Sequence, residues 1–393
     1  MTEPRRLPND RFPARLAACR EAIAERGFAA LLLGVGPDLR YLTGFVGEPM
    51  ERLTLLVVPR EGPVSFVVPR LEATKAAATP LVSVGGASLV AFEETDDPAL
   101  LVAGMLDQGW RGAASRTARG MGPIGLSDRL WATHVLQLQA ALPGRRFEPA
   151  SSVMRVLRQV KDADEAQLLR LAAQAADRTV DGIASGRLVG RAEAEVSREI
   201  RRRLIDEGHD LADFAIVGSG PNGASPHHDA GERIIEAGEP LVLDLGGTRA
   251  GYLSDTTRTI WVAGEIGREP EAEFWRVYDL VREAQAAATA AVRPGVEAQA
   301  IDAAARGVIT AAGYGEYFTH RVGHGIGLEV HEDPYMVAGN ATPLRPGMAF
   351  SVEPGVCLPG RWGVRLENIV LCTESGAEVL NNSSLDLRVV HGQ

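Results

Sequence analysis

The 393 residues are enough to build a large core and exceed the size at which a single core usually divides, so two domains are expected. Apolar residues make up 45% of the chain and charged residues 23%, which excludes an extensively disordered protein. The formal net charge of −10 excludes the basic surface that nucleic-acid binding requires, so no nucleic-acid partner is expected.

The cysteines and the N-terminal sequence indicate a compartment. The three cysteines are too few and too scattered for a disulfide framework or a thiolate metal site: Cys19, Cys357 and Cys372. The first apolar run, FAALLLGVG, is too short to span a membrane and lacks the layout of a signal peptide. We therefore expect a cytoplasmic protein with no membrane partner.

The first part of the chain alternates helix and strand. RLAACREAIAERG predicts an amphipathic helix closed by Gly27, and FAALLLG, RLTLLVVP and PVSFVVP predict strands. Further helices are predicted around LEATKAAA, PALLVAGMLDQGW and DRLWATHVLQLQAAL. The pattern predicts an α/β domain over residues 1–155, with one scattered histidine, His134.

The second part, residues 156–393, contains a pseudo-repeat. Two predicted helices, in DEAQLLRLAAQAADRTVDGIA and RAEAEVSREIRRRLIDEG, precede SPHH and a hairpin, VLDLGGTRAGYLSDTTRT. Two more, in EAEFWRVYDLVREAQAAATAAV and EAQAIDAAARGVITAAG, precede GHGIGLEVHE and a second hairpin, MAFSVEPGVCLPGRWGVRLENIVLCT. The predicted fold class is α+β: an α/β domain followed by a domain with two pseudo-twofold helix-helix-sheet halves.

Each predicted hairpin carries two carboxylates, Asp244 with Asp255 and Glu353 with Glu367. Pairing of LVLDL with SDTTRTIWV through GGTRAG would make the two aspartates near neighbours, where like charges repel and burial is costly. One alternative is that both aspartates cap turns at the sheet rim. If they are buried, either one of them is protonated or a cation lies between them.

Histidines cluster in the same region. Five of the eight lie in the repeated part near glycine, proline or carboxylate-bearing strands: His227, His228, His320, His324 and His331. Four carboxylates and a histidine between glycines offer oxygen and nitrogen ligands without thiolate, which favours Mn, Co, Fe or Zn. Hairpins facing each other across a pseudo-twofold could hold two cations roughly 3.5–4 Å apart.

Five motifs, VLDLG, GYLSDTTRT, GHGIGLEVHE, FSVEPG and GVRLEN, resemble in order and spacing those of the pita-bread metallopeptidases: Xaa-Pro dipeptidase (prolidase), aminopeptidase P and methionine aminopeptidase. RYLTGF, at Arg40–Phe45, resembles the creatinase-type N-terminal domain of the first two. The resemblance covers nearly the whole chain and implies two divalent metal ions, with Mn expected and Co or Zn as alternatives. It assigns five metal ligands: Asp244, Asp255, His324, Glu353 and Glu367. Of these, Asp255 and Glu367 would bridge the two ions.

The resemblance also implies catalytic residues. Glu353 would move the proton from nucleophile to leaving nitrogen, His331 would contact the scissile carbonyl, and His227 would face the substrate. His320 matches a histidine that prolidase and aminopeptidase P also carry. Arg365 is the candidate for binding a substrate carboxylate, supplemented by His227 and His320, although it could instead neutralise a protein carboxylate.

The expected function is hydrolysis of the bond between an N-terminal residue and proline, in Xaa-Pro dipeptides. The expected substrates are small peptides with proline at the second position, and the expected assembly is a homodimer. The main alternative is aminopeptidase P activity on longer peptides. A metal-free, creatinase-like amidinohydrolase and a non-catalytic binding module are remoter alternatives, because both expect lost ligands and all five are present.

The remaining polar residues have expected structural roles. His228 is expected to face solvent, and His134 and His209 to lie at helix ends or on surfaces. Arg258, like Arg365, could either bind substrate or neutralise a protein carboxylate. Asn368 stands where Asp often follows the last ligand in relatives, and this change is expected to alter hydrogen bonding around the metals and not ligation.

Overall fold

The computed structural model describes residues 7–112, 122–265 and 267–391. It divides into two compact units, one formed by Leu7–Arg158 and the other by the chain from Gln159 onward. None of the helices in the described residues is long and apolar enough to cross a membrane.

The N-terminal unit contains one mixed sheet with flanking helices. Its strands are β1 (Ala30–Gly34), β2 (Leu55–Pro59), β3 (Ser65–Pro69), β4 (Ser88–Phe92), β5 (Ile124–Leu126) and β6 (Phe147–Pro149). Its helices are α1 (Arg11–Glu25), α2 (Pro37–Thr43), α3 (Ala73–Ala77), α4 (Pro80–Ser83), α5 (Pro98–Gly112), α6 (Ala132–Ala141) and α7 (Ser151–Arg158). The sheet order is β4-β3-β2-β1-β5-β6, which confirms the predicted α/β fold.

Burial explains which strands the sequence predicted. Every residue of β1, β2 and β3 is buried, as expected of strands covered on both faces, and each reads as a continuous apolar run. Strands β5 and β6 have three residues each, too few to show a period, and were not predicted. Helix α1 ends before Gly27, whose positive φ of 72° suits glycine.

The first half of the second unit places two helices on an antiparallel sheet. The helices are α8 (Ala163–Ala184) and α9 (Glu193–Asp206), and the strands that follow are β7 (Leu211–Ser219), β8 (Glu239–Arg249), β9 (Tyr252–Leu253) and β10 (Thr256–Val262). The sheet is completed by the C-terminal strand β18 (Val389–Val390), in the order β18-β10-β8-β7. Val196 and Ile200 of α9 share a core with Leu243 of β8.

The second half repeats this order. Helices α10 (Ala272–Ala291) and α11 (Ala298–Ala311) precede β11 (Gly323–Gly325), β12 (Glu332–Met336), β13 (Ala349–Val352), β14 (Gly355–Leu358), β15 (Trp362–Arg365), β16 (Asn368–Thr373) and β17 (Gly376–Val379). The sheet order is β12-β11-β13-β16-β17, and β14 and β15 pair separately. The predicted pair of helix-helix-sheet halves is confirmed.

Both carboxylate hairpins differ in detail from the prediction. The first turns tightly at Ala250 and Gly251, both with positive φ, and Asp244 lies opposite Thr257, so Asp244 and Asp255 are diagonal and not directly opposed. The second hairpin is interrupted, because β13 pairs with β16 while β14 and β15 form a ribbon between them. Glu353 and Glu367 therefore lie where the chain leaves and re-enters the sheet.

Candidate active site

One cavity in the second unit, of about 500 Å³, brings the predicted site residues together. Residues from both halves line it. Those from the predicted set are Asp244, Asp255, His324, Glu353, Glu367, His227, His320, His331 and Arg365. The nine residues span more than a hundred positions of sequence, so their convergence depends on the docking of the two halves.

The donor atoms of the cluster lie within reach of a shared cation. Nε2 of His324 lies 3.2 Å from Oε1 of Glu353 and 3.5 Å from Oδ2 of Asp255. One ligand atom each from Asp255, His324 and Glu367 lies within 4.8 Å of the others. All three residues are buried. A compact, buried set of oxygen and nitrogen donors is the chemistry that suits Mn, Co or Zn.

The cluster carries an excess of buried negative charge. Burial raises the pKa of Asp244, and burial with the neighbouring carboxylates raises the pKa of Asp255 to about 7 and that of Glu367 well above its usual value. Within the described residues, Oδ1 of Asp244 and Oε1 of Glu367 are buried without a hydrogen-bond partner. Unpaired buried acceptors and mutual repulsion are both relieved by a divalent cation, so the residues fit this cofactor.

Two glycines allow His324 to reach the carboxylates. A Cβ on Gly323 would lie 1.9 Å from the carbonyl oxygen of Ser351, and one on Gly325 would lie 2.5 Å from that of Asp333. Strand β11 thus fits between its neighbours only with glycine on both sides of the histidine. Nδ1 of His324 lies 3.2 Å from the Gly325 carbonyl oxygen, which fixes the ring and leaves Nε2 for the cluster.

Hydrogen bonds join the two halves behind the cluster. The Thr257 hydroxyl donates to Oε2 of Glu367 at 2.7 Å, and the Glu367 amide donates to the Thr257 carbonyl at 3.0 Å. The buried Arg258 donates to the Glu367 carbonyl and, at 2.8 Å, to Oδ1 of Asn368, while lying 3.8 Å from Asp177. Arg258 therefore holds the backbone around a predicted ligand, and Asn368 serves as its acceptor.

Two arginines line the cavity and differ in their burial and in the groups that they contact. Arg365 is buried, and its Nη2 lies 2.5 Å from Oδ2 of Asp244 and 3.4 Å from the Pro226 carbonyl oxygen. Arg321, which the sequence analysis missed, is half-buried and places its guanidinium 4.5 Å from the ring centre of Tyr335. Its position inside the motif HRVGHGIG was the available signal. Arg365 is thus engaged by a predicted metal ligand, whereas Arg321 stacks on an aromatic ring.

The three histidines predicted to be catalytic differ in environment. Burial lowers the pKa of His320, whose Nδ1 donates to the Arg321 carbonyl oxygen at 2.8 Å. Burial and the charge of His324 lower the pKa of His331 to about 4, and the rings of His324 and His331 meet edge to face at 4.1 Å. His227 is exposed at the cavity wall. At neutral pH His320 and His331 are therefore uncharged and can each donate and accept one hydrogen bond.

An apolar wall completes the cavity and was also missed. It is formed by Phe214 and Ile216 of β7 together with Val330 and Pro226. Phe214 and Ile216 alternate along the strand and so share a face, a period that is visible in the sequence. Only the register of β7 against β8 shows that this face points to the cavity, because it places Ile216 opposite Asp244.

The prediction that His228 faces solvent is wrong. Its side chain is 19% exposed, and its Nε2 lies 2.7 Å from Oε2 of the fully buried Glu193. His209 follows α9 but is buried, with Nε2 2.9 Å from the Ser254 hydroxyl. His134, in the first turn of α6, is likewise buried, with Nε2 3.1 Å from the Met50 carbonyl oxygen.

His209 gives a testable pH dependence. Burial lowers its pKa from 6.5 to about 4, so the unfolded chain binds a proton that the folded chain excludes. The stability present above pH 6.5 should therefore fall by about 3 kcal/mol as the pH drops toward 4. Urea denaturation at pH 7 and pH 5 measures about 2 kcal/mol of this fall, with His209→Gln as the control that keeps polar contact to Ser254. An equal pH-dependent loss in both proteins would contradict the assignment.

Two helix-helix-sheet halves around one buried carboxylate and histidine cluster define the chain as a pita-bread hydrolase. It belongs to metallopeptidase family M24: residues 167–374 match that family, and residues 15–160 match the Creatinase/Prolidase N-terminal domain. The family resemblance read from the motifs is thus confirmed.

Individual relatives agree with this assignment over almost the full length. The probable dipeptidase PepE of Mycobacterium bovis is 44% identical over 387 residues, which cover 98% of each protein. The crystal structure of dipeptidase PepE from Mycobacterium ulcerans superposes with a TM-score of 0.89 at 42% identity, covering 98% of this chain and all of that one. Prolidase from Thermococcus sibiricus gives 0.87 at 33% identity, covering 98% and 99%.

Proposed function

We propose that this protein is a metal-dependent Xaa-Pro dipeptidase that hydrolyses the bond between the first residue and proline. The observation that carries the proposal is the convergence of Asp244, Asp255, His324, Glu353 and Glu367 on one cavity of about 500 Å³. A cavity of this size suits a very small peptide. The similarity to a dipeptidase and a prolidase over nearly the whole chain supports the same substrate class.

The five convergent residues would hold two divalent cations, with Mn proposed first and Co or Zn as alternatives. Five donor residues exceed what one four-coordinate ion needs, and Asp255 and Glu367 lie together in the buried cluster, where each could serve as a ligand to both ions. When bound, the ions would supply an activated nucleophile and polarise the substrate carbonyl. The leaving nitrogen of an Xaa-Pro bond has no N–H, so a site that needs no such hydrogen can cleave it.

The protein's own groups would manage protons and orientation. Burial alone would raise the pKa of Glu353, but the hydrogen bond and charge of His324 lower it to about 2, so Glu353 is ionised within the cluster and would serve as the base. His331 is neutral and would donate a hydrogen bond to the scissile carbonyl without adding charge. Nδ1 of His320 donates to a backbone carbonyl, and its buried Nε2 has no hydrogen-bond partner among the residues described, so Nε2 would accept a hydrogen bond from substrate.

Substrate length is the decisive test of the proposed function. The purified protein, supplied with Mn²⁺, is expected to cleave an Xaa-Pro dipeptide with a higher kcat/KM than the matching Xaa-Pro-Xaa tripeptide. Faster cleavage of the tripeptide would assign the protein as an aminopeptidase P. Cleavage of neither would refute peptidase action on Xaa-Pro bonds.

The two cavity arginines should respond differently to the substrate carboxylate. Arg321→Ala should raise KM for an Xaa-Pro dipeptide about 10- to 100-fold more than for its C-terminal amide, because a charged hydrogen bond is worth roughly 1.5–3 kcal/mol. Arg365→Ala should weaken hydrolysis of both substrates, since it removes the partner of Asp244. The opposite result would assign carboxylate binding to Arg365. In that case Arg365→Ala would weaken hydrolysis of the dipeptide more than that of its amide, and Arg321→Ala would weaken both equally.

We also propose a homodimer, in which the N-terminal unit of one subunit shapes access to the site of the other. Light scattering that gives a monomer mass at micromolar concentration, with full activity, would contradict this.

The three cysteines are free and buried, which supports a reducing compartment such as the cytoplasm.

A further inference from the structure

The loop that carries His227 is held at both ends by one buried carboxylate. Oε1 of Glu193 accepts hydrogen bonds from the Ser219 amide at 2.7 Å and from the Ser219 hydroxyl at 2.6 Å. Nδ2 of Asn222 donates to both of its oxygens at 3.1 Å, and Nε2 of His228 lies 2.7 Å from Oε2. Glu193 therefore binds the residue before the loop, a residue within it and the residue directly after His227.

The surroundings of Glu193 favour the charged form of its carboxylate. Its side chain has no exposed area, which alone would raise its pKa, but the hydrogen bonds from Ser219, His228 and Asn222 lower the pKa below its usual value. It is also the first residue of α9, where the helix dipole favours a negative charge. Ser219, Asn222 and His228 all donate to it, so a neutral amide at this position would turn an NH₂ group toward hydrogen-bond donors.

The far side of the same loop rests on the cavity wall. Gly223 packs so closely on β15 that a Cβ at Gly363 would lie 2.0 Å from the Gly223 carbonyl oxygen. The Pro226 carbonyl oxygen lies 3.4 Å from Nη2 of Arg365, and Pro226 and His227 both line the cavity. The loop is thus clamped between Glu193 and β15, with its short cavity-facing stretch between the two contacts.

We propose that Glu193 is a positioning residue that fixes His227 at the cavity through the loop of residues 220–228. The proposal rests on the proposed Xaa-Pro hydrolysis for its kinetic consequence, but the anchoring itself requires neither metal nor substrate. Glu193 lies outside the cavity lining, and therefore acts through the loop and not on the substrate.

A matched pair of variants tests the anchor. Glu193→Gln should speed amide hydrogen exchange in a peptide covering residues 220–228 by about tenfold or more. Glu199→Gln is the control, because Glu199 lies on the same helix and binds Arg191 and Arg203, each at 2.8 Å. It should leave exchange in this loop unchanged. Asn222→Ala, which removes one loop contact alone, should speed exchange in the same peptide if Glu193→Gln proves too unstable. Unchanged exchange in both loop variants overturns the proposal.

A double-mutant cycle tests the link to His227. Glu193→Gln is expected to lower kcat/KM for an Xaa-Pro dipeptide about tenfold, mainly through KM, with Mn²⁺ affinity unchanged. In the His227→Ala background it should cause little further loss. If the losses in kcat/KM from Glu193→Gln and His227→Ala instead multiply in the double variant, Glu193 does not act through His227. Glu193 would then be a general stabiliser of the fold. Absence of Xaa-Pro cleavage by the wild-type protein would count against the proposed function, while hydrogen exchange would still decide the anchoring.

Discussion

Asp255→Asn should abolish both hydrolysis and tight metal binding. Asp255 lies in the cluster where its carboxylate, His324 and Glu367 place donor atoms within 4.8 Å of one another. Asparagine keeps the volume but removes the negative charge and one of the two carboxylate oxygens, so the ligand that we propose for both cations would be lost. The fall in kcat/KM should well exceed the ~10–100-fold that loss of an outer hydrogen-bonding partner costs.

Asn368→Asp is the matched control for this experiment. Asn368 is buried next to Glu367 and accepts a hydrogen bond from Arg258, so an aspartate there keeps the acceptor and gains a partner for the arginine. We expect at most a modest change in kcat/KM and metal content by elemental analysis close to wild type. Equal losses in the two variants would sink the bridging assignment of Asp255.

Chelation should remove all activity and lower stability together. Without cations the buried carboxylates repel one another, and the free energy of unfolding should rise by about 2.7 kcal/mol when Mn²⁺ is supplied at 100 times its Kd. Thermal or urea unfolding across a Mn²⁺ titration measures this gain, and peptide assays before and after re-addition of Mn²⁺ or Co²⁺ measure recovery. Undiminished hydrolysis by the thoroughly chelated protein would refute metal dependence.

The parts of the molecule that the sequence predicted have strong local signals. Strands β1 to β3 are continuous apolar runs, and the two-halved order is repeated in pattern. The site motifs are recognisable because carboxylates interrupt apolar stretches and because glycines flank His324 on both sides. Gly323 and Gly325, for example, mark the close packing around His324.

The parts that were missed depend on contacts between distant segments. Nothing near His228 in sequence shows that Glu193, 35 positions earlier, lies beneath it. The pairing of Arg365 with Asp244 spans 121 positions and depends on how the halves dock. The interruption of the second hairpin, where β14 and β15 form a ribbon apart from β13 and β16, is a matter of strand pairing that no local sequence signal marks.

The hydrogen bonds between Thr257 and Glu367 join the two halves directly behind the cluster. Asp244 and Asp255 come from the first half and His324, Glu353 and Glu367 from the second, so neither half alone can complete the cluster. A cation held by residues of both halves would therefore stabilise their docked arrangement. A substitution in either distant helical layer that loosens this docking would be measured as weaker metal binding, although it touches no ligand.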